Sequence, residues 1–235
     1  MVAVKAIRRR QAKVGGKKLY KMLKNKGIKM SKGRDSFYKI LREYNLLVKK
    51  KKRKAYTTNS YHHYYKYKNL IKEMEITMPE QVLVADITYI DTLEGFCYLS
   101  LITDLYSRKI AGYHVSKSLA VEGSMKALEM AIKSMKRSEG VIHHSDRGIQ
   151  YCCKAYIEKL SRNKMVSSMT EEDHVYENAT AERVNGILKE EFMLGEKLIS
   201  YKKAEKMVKE AVKIYNLERL HMSLGYMTPQ EVHVA

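Results

Sequence analysis

The chain has 235 residues, of which 45% are hydrophobic, and a formal net charge of +19. This length favours one or two domains around one sizeable core. The sequence has no apolar run long enough for a membrane span, no apolar leader with a cleavage site, and three cysteines without a CxxC pair. These features argue against a membrane protein, a secreted disulfide-rich protein and a zinc ribbon, and predict a cytoplasmic protein with no membrane partner.

The positive charge is concentrated at the start of the chain. Residues 1–70 hold 23 Lys and Arg against only Asp35 and Glu43, whereas the remainder is nearly neutral. Such a basic head can neutralise phosphates, which favours a nucleic-acid partner over a lipid surface. A solvated basic tail or an RNA contact is the alternative. The densest basic run, which we predict to contact DNA, is Lys49, Lys50, Lys51, Lys52, Arg53 and Lys54.

Helical spacing in the head predicts two short helices around a turn. One apolar cluster spans 19–23, Gly27 interrupts it, and a second pattern spans 37–44. The arrangement is similar to a helix-turn-helix, although core packing alone explains it equally well. We therefore predict a small basic α-helical domain over residues 1–56.

Residues 57–78 are predicted to form a linker or docking segment. The segment begins with polar residues and continues with Tyr61, Tyr64, Tyr65 and Tyr67 among lysines. Tyrosines in this setting stack on nucleic-acid bases or dock against protein, and the pattern favours neither.

From residue 82 the pattern changes to that of an α/β domain, which we place at 79–235. Strands are predicted at 82–90, 95–103, 109–115, 141–143 and 165–169, and helices at 121–135, 156–160 and 178–194. Three consecutive strands followed by alternating helices and strands predict a mixed five-stranded sheet flanked by helices. An RNase H-like core has this order of elements.

Three acidic residues lie at informative positions in these elements. Asp86 is in the middle of the apolar strand VLVADITYI, where an unpaired carboxylate is costly. Asp146 ends the strand VIHHSD, and Glu182 lies beside the apolar face of the 178–194 helix. Each acid alone is also consistent with an ordinary cap or ion pair. The prediction of a site therefore rests on the three together.

Carboxylates from two strands and a helix suit Mg²⁺, with Mn²⁺ as an alternative. Two such ions about 4 Å apart would serve an in-line phosphoryl displacement. We predict catalytic and metal-binding roles for Asp86, Asp146 and Glu182, with no other cofactor. Lys189 lies about two helical turns after Glu182 and is predicted to hold a DNA phosphate. Arg147, next to Asp146, is a further predicted DNA contact.

Several sequence blocks over residues 15–232 carry a family resemblance. They are GGKKLYKMLKNKGI, ADITYI, YLSLITDLYSRKIAGYHV, HHSDRGIQY, SSMT, ENATAERVNGILKEEF and YNLERLHMSLGYMTPQEV. On these blocks the chain resembles the OrfB transposases of bacterial insertion sequences, which are retroviral-integrase-like proteins with an Asp-Asp-Glu triad. The resemblance implies that Asp86, Asp146 and Glu182 form the triad and that Lys189 is the basic residue of the catalytic helix.

The resemblance also implies a function and partners. It implies binding to the terminal repeats of an insertion sequence, metal-dependent nicking, and attack of the freed 3′-OH on target DNA. Further implications are a homo-multimeric synaptic complex, an upstream OrfA partner and a location at the bacterial nucleoid. The head is shorter than the family pattern, so an N-terminally shortened copy is expected.

Two other functions are consistent with the same residues. The first is a catalytically silent DNA-binding regulator derived from a transposase. The second is a nuclease of the same fold without strand transfer, because hydrolysis and transfer use one metal site.

Overall fold

The computed structural model describes residues 2–28, 33–48, 62–171 and 178–235. Its head contains α1 (Val2–Arg10), α2 (Gly16–Asn25) and α3 (Arg34–Glu43). The rest contains β1 (Val82–Thr92), β2 (Gly95–Asp104), β3 (Ile110–Ser116), α4 (Val121–Ser134), β4 (Ile142–Ser145), α5 (Ile149–Cys152), α6 (Lys154–Arg162), β5 (Val166–Met169), α7 (Ala179–Glu191), α8 (Tyr201–Leu217), a short 3-10 helix (Met222–Leu224) and α9 (Pro229–Val234).

The strands form one five-stranded sheet in the order β3-β2-β1-β4-β5. The pairs β1–β2 and β2–β3 are antiparallel, whereas β4 is parallel to both β1 and β5. The mixed sheet predicted from the sequence is therefore confirmed. Because β1 is central, its residues 83–85 pair with strands on both sides.

Helices cover both faces of the sheet, and an apolar core lies on each face. On one face, α7 and α8 pack over side chains such as Ile90 and Leu99. On the other face, α4 and α6 pack over Leu83 and Ile102. The approach of α4 to β3 is especially close, because a β-carbon at Gly112 would lie 2.1 Å from the Ala127 carbonyl oxygen.

Side chains of α8 bond the outer edge of the sheet. Asn216 accepts a hydrogen bond from the Ile110 N–H and donates one to the Ile110 carbonyl, each 2.9 Å long. At the other end of β3, the Tyr201 hydroxyl donates to the Val115 carbonyl (2.7 Å). α8 is thus fixed to β3 at both ends.

The head has its own small core and packs on the end of the chain. α1 was not predicted, and its Val4 and Ile7 are buried with Leu19 and Leu41 of the next helices. Arg10 donates to Glu218 (2.9 Å) at the end of α8. The head therefore contacts the α/β domain directly.

The segment 62–71 lies against the α/β domain. Tyr64 and Tyr67 pack on the core beneath α4 and α6, whereas Tyr65 is 72% exposed. Docking against protein thus accounts for Tyr64 and Tyr67. Tyr61 and the predicted DNA-contacting run 49–54 lie outside the described residues. Within the described ranges, no helix has the length and apolarity that crossing a bilayer requires.

Candidate active site

Asp86 occupies the central strand on the sheet face that α7 covers. Its two carboxylate oxygens accept hydrogen bonds, one from the Ile87 N–H (2.8 Å) and the other from the Asn185 side-chain amide of α7 (2.7 Å). The apolar, β-branched sequence around Asp86 makes this segment a strand. The strand register in turn sets which way the carboxylate points.

Asp146 follows directly after the last residue of β4. Because β4 runs parallel to β1 with Ser145 opposite Ala85, the chain places Asp146 next to Asp86 at the adjoining strand end. One Asp146 carboxylate oxygen accepts from the Gly148 N–H (3.0 Å), and this bond orients the side chain.

Glu182 lies in the first turn of α7 and is exposed. The start of this helix is tied to β1, since the buried Asn178 side chain donates to the Ala85 carbonyl (3.0 Å). Together with the Asn185 bond to Asp86, two amides fix α7 on the strand that carries Asp86. Glu182 is therefore held near the other two acids by its helix.

Asp86 interacts electrostatically with both other acids. Burial raises the pKa of Asp86 to about 7, and the charges of Asp146 and Glu182 act in the same direction. The hydrogen bonds from Asn185 and Ile87 oppose this rise. Asp86 is thus a carboxylate whose neighbours favour its protonated form, which is the electrostatic setting that a bound cation relieves.

Lys189 lies on the same side of α7 as Glu182. Its ammonium group is 3.9 Å from the centroid of the Tyr89 ring. Burial lowers the pKa of Lys189, and the charge of Asp86 opposes this effect. The structure thus brings Lys189 into the electrostatic range of the acids.

The donor set suits a hard divalent cation, because carboxylate oxygens are its preferred ligands. However, in the ranges that the structure describes, no three His, Cys, Asp or Glu side chains are grouped closely enough to hold a metal ion. The acids therefore share one region without forming a preassembled set of ligands.

Neighbouring residues support the Asp146 loop. The His62 Nε2 donates to the Arg147 carbonyl (2.7 Å), so the 62–71 segment contacts this loop.

His143 is fully buried, and its Nε2 lies 2.9 Å from the Tyr156 hydroxyl. Burial lowers the pKa of His143 to about 3, so it stays neutral and belongs to the core.

The far end of α7 carries a buried ion triad. Glu191 accepts two hydrogen bonds from the Arg219 guanidinium (2.8 and 3.0 Å) and two from the Lys18 ammonium of α2 (2.6 and 2.9 Å). Burial opposes ionisation of Glu191, but Arg219 and Lys18 outweigh it and lower its pKa. Burial lowers the pKa of Lys18 to about 8, and the neighbouring positive charge of Arg219 acts in the same direction.

Sequence reasoning missed Asn185. Its partner Asp86 is 99 positions away in the chain, so no local pattern reports the bond. The available signal was its position three residues after Glu182, which places both side chains on one side of a helix.

Comparison with known proteins gives the family. The Integrase core domain family matches residues 76–174, and a second Integrase core domain family matches residues 163–229. A 31 kDa protein of insertion element IS600 from Shigella sonnei is 35% identical over 97% of this chain and 84% of its own length.

Other relatives are longer than the matched region. The IS629 transposase of Shigella sonnei is 34% identical over 67% of this chain, and the InsF transposase of IS3A from Escherichia coli is 36% identical over 65%. The matched regions cover 53% and 54% of those two proteins, so the chain spans about half of their length.

Solved structures share the fold. The HTLV-2 integrase catalytic core domain in complex with magnesium has a TM-score of 0.52 and 17% identity, covering 66% of this chain and 97% of its own. A simian T-cell lymphotropic virus intasome chain has a TM-score of 0.59 and 15% identity, covering 94% of this chain and 71% of its own. The α/β domain therefore has the RNase H-like fold of retroviral integrase cores. The chain belongs to the insertion-sequence transposases of the retroviral-integrase-like superfamily.

Proposed function

We propose that this protein binds the ends of an insertion sequence, nicks DNA in a metal-dependent reaction and transfers the freed 3′-OH to target DNA. The observation that carries this proposal is the electrostatic interaction of Asp86 with both Asp146 and Glu182. In a transposase family, such a group of acids suits a polynucleotidyl transferase that uses divalent cations.

Asp86, Asp146 and Glu182 would hold the cation, as Mg²⁺ or Mn²⁺. Two ions bound there would activate the attacking oxygen and stabilise the leaving oxygen of the phosphodiester. The protein's own contribution is orientation. Asn185 and the Ile87 N–H fix both oxygens of Asp86, and the Gly148 N–H fixes Asp146. Burial and the neighbouring acids raise the pKa of Asp86 to about 7, so a cation held there would displace the proton that remains on this carboxyl group.

DNA contacts are proposed at the site and in the head. Lys189 has a single positive charge close to the acids, which suits a phosphate next to the reacting bond. Arg147 is adjacent to Asp146 in the chain and suits the same strand of DNA. The basic run 49–54 would add sequence-independent affinity through phosphate neutralisation.

The proposed partners are the terminal repeats, the target DNA and further copies of this chain. Joining two ends to a target requires both ends to be held at once, which favours a multimer. The structural neighbour that covers most of this chain is described as part of an intasome. We also propose an upstream OrfA partner for sequence recognition at the nucleoid, as the resemblance to OrfB transposases implies.

A catalytically silent regulator is the second candidate. The observation that favours it is the lack of a preassembled group of three metal-binding side chains in the described residues. Such a protein would bind the same DNA ends without cutting them.

The deciding experiment is a strand-transfer assay on a labelled element end, with Mg²⁺ or with EDTA. We expect joined products with Mg²⁺ only, and none from Glu182→Gln. The matched control is Glu190→Gln, which removes an exposed carboxylate from the same helix. Binding of the labelled end without cleavage in any condition would favour the regulator, whereas cleavage without joining would favour a nuclease.

A second measurement separates binding from catalysis. Asp146→Asn is expected to abolish nicking and to leave duplex affinity within about threefold, because phosphate contacts by basic residues dominate affinity. Affinity is measured by fluorescence anisotropy in EDTA. An equal loss of binding and nicking would contradict this division of roles.

A further inference from the structure

The outer side of α8 carries a row of lysines that the proposed reaction does not use. Lys202, Lys206, Lys209 and Lys213 are spaced by four, three and four residues. At 3.6 residues per turn, they fall within an arc of about 60° and extend over about 16 Å of the helix. All four are exposed. We call this surface the α8 lysine row.

The row borders a groove beside the edge strand. An open groove of about 620 Å³ lies between α8 and β3, and its lining residues are Tyr113, Lys206, Lys209, Glu210, Val212 and Lys213. Lys117, just after β3, continues the basic surface, since its ammonium lies 5.2 Å from the Tyr201 ring at the start of α8. The groove is therefore mainly basic.

Few carboxylates balance this charge. In the part of the chain that the structure describes, none of the four row ammonium groups lies within 4.0 Å of a carboxylate oxygen. Glu210, the acid in the groove lining, is 3.5 Å from the Arg10 guanidinium of the head. The Arg10 guanidinium therefore partly neutralises the charge of Glu210, and the row presents a net positive field.

We propose that the α8 lysine row is a binding surface for the phosphate backbone of duplex DNA. Each strand of duplex DNA carries one phosphate per about 3.4 Å of axis and winds around that axis, so a row about 16 Å long lies against the part of one strand that turns towards it. The length of the row therefore matches a short stretch of backbone. The groove lining has one tyrosine and no row of amide side chains that could read base edges. The contact is therefore independent of the DNA sequence.

The location of the row suits DNA that passes the candidate site. α7 and α8 cover the same sheet face, on which Asp86 lies. The edge strand β3 is two strand spacings from β1, or about 10 Å in the plane of the sheet. DNA bound along α8 would thus run beside the acids. This inference rests on the proposed function for the identity of the polyanion.

A second copy of the chain fits this surface less well. A two-fold dimer through α8 would place one lysine row against another, and like charges across an interface are unfavourable. Charge complementarity therefore favours DNA, rather than a second copy of the chain, as the partner of the α8 lysine row.

The test compares two fourfold variants of equal charge. The first is Lys202→Gln, Lys206→Gln, Lys209→Gln and Lys213→Gln. The control is Lys133→Gln, Lys136→Gln, Lys154→Gln and Lys164→Gln, which removes exposed lysines outside the groove. Affinity for a random 30-base-pair duplex is measured by fluorescence anisotropy in EDTA at several salt concentrations. Melting temperatures check that both variants are folded.

We expect the α8 variant to bind at least tenfold more weakly at 100 mM salt. The slope of its plot of log affinity against log salt concentration should be less steep by about three to four. The slope for the control should change much less. Equal losses in both variants, or no loss in the α8 variant, would overturn the proposal. A change in oligomeric state without a change in DNA affinity would instead assign the row to a second copy.

The same samples keep this inference separate from the proposed function. Nicking with Mg²⁺ is measured for the wild-type protein in parallel. Loss of DNA affinity in the α8 variant, together with a wild-type protein that never nicks, would support the binding surface and refute the transposase reaction. Normal nicking by the wild-type protein, together with unchanged DNA affinity in the α8 variant, would support the transposase reaction and refute the binding surface.

Discussion

At the scale of single residues, Asp86 costs folding energy that a bound cation would offset. Its carboxylate is partly buried beside two other acids, and burial together with their charges raises its pKa to about 7. The folded protein therefore keeps a proton on Asp86 at pH values where the unfolded chain has already lost it. The proposed function of Asp86 and the stability of the fold therefore oppose each other at this position.

Asp86→Asn is predicted to stabilise the metal-free protein in a pH-dependent way. Below about pH 4 the carboxyl is protonated in both states, so the variant should gain little. Between about pH 4 and 7 the wild-type protein loses the stability that the raised pKa provides, and the variant does not. At pH 8 we expect the variant to be more stable by roughly 2 to 4 kcal/mol, while nicking is abolished.

The amide substitution preserves the hydrogen bonds. The Asn185 side-chain oxygen has no partner among the described residues, so a flip of this amide lets it accept from an amide at position 86. The measurement is the melting temperature in EDTA between pH 4 and 8. Asp35→Asn, at an 89% exposed side chain, is the control. A gain that is the same at every pH would contradict the explanation.

Asn185→Ala is predicted to weaken catalysis by disturbing the orientation of Asp86. Removing a residue that orients a metal ligand typically lowers metal affinity or activity by roughly 10- to 100-fold. We therefore expect nicking to fall by about this factor and half-saturation to shift to higher Mg²⁺. A Mg²⁺ titration of nicking checks both effects. Asn163→Ala, at the end of α6, should leave them unchanged.

At the scale of elements, the packing of α4 on β3 depends on a missing side chain. Gly112→Ala places a β-carbon 2.1 Å from the Ala127 carbonyl oxygen and 2.8 Å from the Ala131 nitrogen, both backbone atoms of α4. The helix has to move, and overpacking of this kind costs about 1 to 3 kcal/mol. Gly15→Ala meets no atom within 4 Å and serves as the control. Urea unfolding that gives equal stabilities would refute this role.

Local patterns predicted most of the elements of the α/β domain. The strands predicted at 82–90 and 95–103 are observed at Val82–Thr92 and Gly95–Asp104, because β-branched and apolar runs report a buried strand directly. The helix α1 was missed, since its two buried side chains, Val4 and Ile7, are surrounded by basic residues. The apolar surface of α1 becomes buried only when the helix packs against α2 and α3.

At the scale of the whole molecule, the Lys18–Glu191–Arg219 triad joins the head to α7. Glu191→Gln is predicted to destabilise the protein by about 3 to 5 kcal/mol, because it leaves two buried cations without their carboxylate. Lys18→Gln should cost less, since the Arg219 pair remains. Urea unfolding provides the values, with Glu190→Gln as the control. A cost for Glu191→Gln no larger than that of the control would contradict the role of the triad.

The triad and the candidate site differ in what the sequence reveals. The acids were predicted because the three together lie at informative positions of one plausible fold, two on strands and one beside the apolar face of a helix. The Lys18 and Glu191 side chains are 173 positions apart, and in the sequence each is one charged residue among many. Only the fold brings them together, so their pairing lies beyond any local pattern.

The bonds from Asn216 and Tyr201 to β3 limit how copies of the protein can join. An exposed edge strand ordinarily invites a strand from another molecule. Here the peptide groups at Ile110 and Val115 are already occupied by α8 side chains, so sheet-to-sheet extension at this edge has to break existing bonds. The Asn216 and Tyr201 side chains therefore also protect this edge of the sheet from fibrillar aggregation.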